Sequence, residues 1–325
     1  MHTYVFEGRM TALSSISHNG GQSFGISSKL RRERFVQVDG SVEDVPVLSG
    51  NGLRGVLRDR GMLHMCRNLG YGTNQETGEV LGLPLAAFHF LFSGGSLTST
   101  GSRGIDIDAA RTLKRLIPLV GVFGGAVGNN IMPGKLRCGK ALPICLETAH
   151  LLPEQFASMA TTSIWDYVQE EMYTRKDDEK NEQKRSLIAP GIRNMLDDER
   201  LAKALRKGQG DDRQEDIGQH QQMRYYVETL AAGTAFYWRL ELDDVTDLEF
   251  DAFITTLVEF SKAPYVGGKA NVGLGHVAIT FDRWLSIDSR VQAETNAVAL
   301  PAGAPYQLHL RERGDAIRQL LAGMQ

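Results

Sequence analysis

Three stretches of the chain crowd glycine together with small polar residues: Ser17-His18-Asn19-Gly20-Gly21-Gln22-Ser23-Phe24-Gly25, Gly50-Asn51-Gly52-Leu53-Arg54-Gly55 and Gly267-Gly268-Lys269-Ala270-Asn271-Val272-Gly273-Leu274-Gly275. Residues without bulk at Cβ tolerate positive φ and let a second backbone come close, so each stretch marks a tight turn or a close approach. With 35 glycines against 10 prolines in 325 residues, much of the backbone turns sharply without being stiff. No solenoid period is visible.

The rest of the composition excludes whole classes. A chain that is 42% hydrophobic and 23% charged with a net charge of −3 is neither collagenous, coiled-coil nor wholly disordered. No apolar run approaches the roughly 20 residues needed to span a bilayer, and Met1 to Arg9 does not build a signal-peptide core, so the expected location is the cytoplasm. Cys66, Cys138 and Cys145 make no closely spaced pair, which suggests buried thiols and neither a disulfide framework nor a zinc site.

Along the chain, Tyr4, Phe6, Met10, Ala12 and Ile16 predict one or two strands with a bulge or bend at Gly8. The basic cluster Lys29, Arg31, Arg32 and Arg34 follows the first loop, and Phe35 to Asp39 reads as a strand. Val45 to Leu48 approaches a helix capped by Ser49 or Asn51 and running to about Asn68, with Leu53, Val56, Leu57 and Met65 inward and Arg54 and Arg58 one turn apart. Further helices are predicted over about Pro84 to Leu91 and Asp106 to Ile117, with Pro118 ending the latter, and strands over Leu119 to Val127 and Gly134 to Glu147. From about His150 to Arg224 the composition turns polar with balanced charge, which reads as an insertion projecting from the core. A long strand or hairpin from Met223 to Leu242 bending at Gly233, a helix from Leu248 to Phe260 capped by Thr246, the third glycine stretch and a strand from Val277 to Phe281 complete the pattern. The order points to an α+β fold, with a ferredoxin-like or RNA-recognition-type palm carrying large loops.

Gly50 to Gly55 formally matches a dinucleotide fingerprint, but Glu76, at the distance of the ribose-binding acid, lies in a turn-like stretch. What survives is more general. Helix-terminal amides, glycines and two arginines can hold a phosphate oxygen of any polyanion, while ion pairs of Arg54 and Arg58 with Asp59 or Glu33 are the bland alternative. Gly267-Gly268-Lys269 suits a backbone lying against another backbone, or a plain hairpin turn. From Arg9 to Arg67 the chain is basic by four charges despite its acidic total, so charge asymmetry carries the hint. Phosphate loops ending in Gly-Lys-Ser/Thr and paired metal-ligand spacings are missing from the sequence. Asp106 and Asp108 suit a helix start better than a metal. His18 and His276, beside glycines, are the only residues that suggest acid/base work in RNA cleavage, and a loop histidine touching backbone is the plainer reading.

Three separated stretches resemble the backbone subunits of the RAMP superfamily of CRISPR-associated proteins. They are Val45 to Arg58, with its proline, small residues, leucine, Arg-Gly and final arginine; Tyr226 to Phe236, with its glutamate, Gly-Thr and phenylalanine; and Tyr265 to Gly275, the glycine loop. The acidic balance, the Gly-Asn-Gly-Leu-Arg form and the long insertion resemble the type IV form most. The resemblance implies a palm in two parts, residues 1–149 and 225–325, a thumb formed by residues 150–224, and polymerisation along a guide RNA. It implies copies of the same chain, a large subunit, a guide-end capping subunit, a guide-processing endoribonuclease and an accessory helicase as partners. A complementary target strand, DNA ahead of RNA, would pair with the guide, and no cofactor or membrane is involved. The RNA contacts implied are Lys29, Arg31 and Arg32, Ser49 to Gly52 (Ser49, Gly50, Asn51, Gly52), Arg54, Arg58, and Gly267, Gly268 and Lys269. Thumb residues Lys184, Arg185, Leu187 and Ile188 would add phosphate contacts and a wedge between bases. Type III relatives carry a target-cutting aspartate in the first loop. Ser17 to Arg34 contains none, so the expectation is binding without chemistry, with a superfamily endoribonuclease using His18 or His276 as the alternative.

Overall fold

In the computed structural model the described residues are 2–24, 27–73, 78, 80–95, 107–127, 130–175, 223–286, 291–293 and 304–324. They form an α+β protein. Contacts divide the chain into a larger unit, residues 1–22, 29–169 and 228–325, and a smaller one, residues 23–28 and 170–227.

The larger unit is built on a long first strand, β1 (His2–Ala12), in which Phe6 and Met10 are buried. In chain order the elements used below are β2 (Ser27–Leu30), β3 (Arg32–Val36), β4 (Val42–Pro46), α1 (Gly50–Asn68), α2 (Ile107–Leu116), α3 (Pro118–Phe123), β5 (Leu136–Cys138) and β6 (Leu142–Pro143). They continue with β7 (Met223–Leu230), β8 (Ala235–Val245), α4 (Asp247–Ser261), β9 (Val277–Ser286), β10 (Val291–Ala293) and α5 (Ala304–Ala322). The main sheet runs β5-β8-β1-β9-β10, with β6 also on β8, and every pairing in it is antiparallel. α1 lies between β1 and β5 in the chain, and α4 between β8 and β9, so two strand-helix-strand passages interleave in one sheet.

Alternation in β8 explains both faces of this sheet. Phe236, Trp238, Leu240 and Leu242 enter the main core with Leu53, Leu57 and Met65 of α1, Phe253 and Leu257 of α4, and Leu310, Ile317 and Leu321 of α5. Tyr237, on the other face, packs with Ile144, Leu152, Phe156 and Ala160. The bulge expected at Gly8 is present: the β1-β9 register slips between Glu7 and Gly8, and a Cβ at Gly8 would stand 2.0 Å from the Thr280 carbonyl. α4 opens on a full capping box, Thr246 with Glu249, as its cap predicts.

Two expectations are corrected. Residues 118–123 are helical, not the start of a strand, because Pro118 occupies the first helical position, where its missing N–H costs nothing. Every residue of α3 is buried, so neither a 3.6- nor a 2-residue period could declare it. Of the strands expected between Gly134 and Glu147, only the short β5 and β6 form. The stretch from Met223 to Leu242 forms two strands, β7 and β8, with Gly233 at φ +93° between them, but they lie in different sheets and are not paired as a hairpin.

In the smaller unit, Tyr226 and Val227 of β7 pair in parallel with Ser27 and Ser28 of β2. The thumb residues Lys184, Arg185, Leu187 and Ile188 lie outside the described residues. No helix among the described residues is long and apolar enough to cross a membrane.

Candidate nucleic-acid interface

The segment from Leu13 to His18, between β1 and the basic strand, is where the three glycine-bearing regions meet. Its first residues bond the end of the third glycine stretch: Leu13 N–H donates to the His276 carbonyl at 2.8 Å, and Gly275 N–H donates to the Ser15 carbonyl at 2.8 Å. Ile16 and Leu230 exchange two backbone bonds, at 2.8 and 2.9 Å. Gly268 N–H donates to the Ser17 carbonyl at 2.7 Å. A Cβ at Gly267, whose φ is +75°, would stand 2.3 Å from the same oxygen, so glycine is required there twice over. Lys269, at the turn of this loop, takes a left-handed φ of 61°.

His18 then fastens the segment to α1. Ser49 N–H donates to His18 Nε2 at 3.1 Å, and the Ser49 hydroxyl lies 3.0 Å from the same nitrogen. Ser49 caps α1 by accepting from Gly52 N–H at 3.1 Å. Gly52 leaves the space for this: a Cβ there would meet His18 Cε1 at 3.1 Å. Gly50 packs still closer, its absent Cβ lying 2.2 Å from the Cys138 carbonyl, and Asn51 beside it is exposed. Burial, then the nearby Arg31, holds the His18 pKa below the usual imidazole range. A neutral ring with Nε2 lone pair free is what a bond from a backbone N–H demands.

The structure turns Arg54 and Arg58 onto the protein's own backbone. Both guanidiniums donate to the Phe123 carbonyl at the end of α3, Arg58 at 2.7 Å, and Arg58 also reaches the Gly124 carbonyl at 3.2 Å. The Nε atoms of both are buried without a hydrogen-bond partner. These arginines satisfy carbonyls that a helix end leaves unpaired, a task that depends on α3 and so could not be read locally.

The basic stretch Lys29 to Arg34, which spans the end of β2 and the start of β3, is more open. Lys29 and Arg31 keep about half of their side chains exposed, at 50% and 48%, and Arg34 keeps 82%. Three acids, Glu228, Glu33 and Asp44, stand against these cations. Glu228 is buried at the end of β7, accepts from Leu30 N–H at 2.8 Å and from Arg32 Nη2 at 2.5 Å, and stands 4.0 Å from Lys29 Nζ. Glu33 is held by Lys140 and Arg31, and Asp44 lies 3.7 Å from Arg34. Arg32 also lies over the Trp165 ring, 5.3 Å from its centroid. Glu228 and Trp165 were missed as members of this site. A lone acid in an alternating apolar strand was the available signal for Glu228; Trp165 gave none beyond its type. His276, the other candidate histidine, stacks on Tyr265 at 5.1 Å between centroids. Among the described residues, no cluster of three or more His, Cys, Asp or Glu side chains could hold a metal ion.

No protein-family model matches the chain, and no curated protein does. Its likeness is to solved structures. A chain of a type IV-B CRISPR complex superposes with a TM-score of 0.53 at 22% identity, over 95% of this chain and 99% of that one. The protein has the fold of that CRISPR-complex chain. The crystal structure of Csc2 from Thermofilum pendens matches with a TM-score of 0.39 at 13% identity, over 98% of this chain and 77% of Csc2.

Proposed function

We propose that this protein is a RAMP-type backbone subunit of a CRISPR effector complex, and that it binds guide RNA without cutting it. The interleaved strand-helix-strand order is read as a ferredoxin-like palm, and the segment within residues 150–224 as its thumb. The observation that carries the reading is the convergence described above. Three stretches up to 220 residues apart, chosen for resemblance alone, all bond to the six residues Leu13 to His18. Beside that segment lies a basic stretch with three partly open cations, Lys29, Arg31 and Arg34. Cations of this kind contact phosphates whatever the base, which suits a subunit whose sequence reading is delegated to a guide.

In this reading Lys29 and Arg31 take phosphates, with Asn51, Gly268 and Lys269 along the same path. Arg54, Arg58, Gly50, Gly52 and Gly267 act indirectly, by setting the backbone that the strand rests on. Copies of the chain follow one another along the guide, with a large subunit, a capping subunit and a processing endoribonuclease as the other members, and DNA as the pairing partner.

The neutral ring of His18, occupied at Nε2 by the Ser49 amide, supports binding over catalysis, since a general base needs that lone pair for its substrate. The test is a titration of single-stranded RNA at several salt concentrations. Two RNAs of unrelated sequence should bind alike, and Arg31→Ala should lower the slope of log K against log salt by about 0.7 to 0.9. Affinity independent of salt would refute the reading. One defined cut in repeat-containing RNA, abolished by His18→Ala, would establish the endoribonuclease instead.

A further inference from the structure

Trp165 has no part in the phosphate path, yet it is the most costly residue on this face to leave in water. Tryptophan carries one of the largest apolar surfaces of any side chain, and 43% of this one is exposed. Its position is nevertheless firmly set. Ser163 opens a single 3-10 turn, Ile164–Asp166, in which Ile164 is wholly buried. The Glu147 carboxylate accepts from the Ser163 hydroxyl and, at 2.9 Å, from Ile164 N–H. Tyr167 N–H closes the turn on the Ile164 carbonyl at 3.0 Å, and Ala231 N–H, at the bend between β7 and β8, donates to the Tyr167 carbonyl at 2.8 Å.

The ring's neighbour is a cation. The Arg32 guanidinium lies 5.3 Å from the ring centroid and is itself oriented by Glu228, at 2.5 Å. Lys29 and Arg31, both half exposed, stand in the same short stretch. A fixed, partly open aromatic ring backed by a guanidinium, with two half-exposed cations in the same stretch of chain, matches a ligand that offers a flat π surface and anionic groups together. A protein partner covering the ring would also have to bury those cations beside it.

The geometry points to Trp165 as a stacking platform for one unpaired base of the bound strand, backed by Arg32, with Lys29 and Arg31 on the adjoining phosphates. The inference rests on the nucleic-acid reading and extends it from the backbone of the strand to a base. Stacking accepts any base, so it is compatible with binding that ignores sequence.

The test measures affinity of the full-length protein for an unstructured single-stranded RNA and for the same backbone with abasic positions. Trp165→Ala should weaken binding to the normal RNA by roughly five- to a hundred-fold without changing the salt slope. Trp165→Phe, which keeps a ring and the fold, should retain most of the affinity. The abasic strand should bind the wild-type protein as weakly as the normal strand binds Trp165→Ala. If Trp165→Ala binds as tightly as wild type while Arg31→Ala does not, the platform is refuted and the phosphate reading survives. Unchanged RNA affinity with lost self-association in sedimentation would make Trp165 a protein contact, again overturning the inference. Failure of the wild-type protein to bind any RNA would remove both.

Discussion

At the scale of single residues, the decisive distinction is between cations that point to solvent and cations already committed to the protein. Arg58 caps α3 through the Phe123 and Gly124 carbonyls, whereas Arg31 keeps about half its side chain open at 48%. Arg58→Ala should therefore leave the salt slope of RNA binding unchanged and lower stability by about 1.5 to 3 kcal/mol, the range for hydrogen bonds to a charged group. Parallel salt titrations and denaturant melts of the two alanine variants check this directly. His18 makes a second prediction. Its pKa is held below the ordinary 6.5, so between that value and the lowered one the unfolded chain binds more protons than the folded one. Stability is thus complete above about 6.5 and falls as the pH drops through this window. His18→Gln should flatten part of that fall in urea midpoints recorded on both sides of it. His64, which burial also holds below its ordinary value, contributes in the same direction.

At the scale of elements, glycines that look alike in the sequence do different work. Gly50 and Gly267 stand where a Cβ would fall 2.2 and 2.3 Å from a backbone oxygen, while Gly55, in α1, has nothing within 4 Å of that point. Gly267→Ala should lower the melting temperature and increase hydrogen exchange at Ile16 to His18, because neither backbone can yield. Gly55→Ala should raise stability by about 0.5 to 1 kcal/mol through helix propensity alone. If both variants melt like wild type, the close approach of the third glycine stretch to Ser17 is not what fixes the segment.

These elements also show which information was local. Periodicity declared α1 and α4, and glycine content declared the close approaches, because both depend on residues near in sequence. The capping box of α4 was legible at Thr246 for the same reason. α3 was not, since a helix buried on all sides has no polar face to reveal its period. The roles of Arg54 and Arg58 depend on α3, and that of Glu228 on Leu30 and Arg32 almost 200 residues away, so neither could be read from neighbours in the chain.

At the scale of the whole molecule, a net charge of −3 limits how strongly one copy can hold a polyanion, even with a basic edge. Assembly on RNA should accordingly be cooperative, contacts between neighbouring copies supplying part of the affinity. Binding isotherms on RNAs of increasing length check this, and a strictly noncooperative isotherm on long RNA would count against a filament. The central claim is that the segment from Leu13 to His18 and the basic stretch beside it, Lys29 to Arg34, are built around a guide. The most direct measurement is to purify the protein from cells expressing its CRISPR array and sequence the nucleic acid that elutes with it. The account expects uniform repeat-spacer RNA in a particle much larger than one chain. A nucleic-acid-free monomer that stays free when guide RNA is added would contradict it.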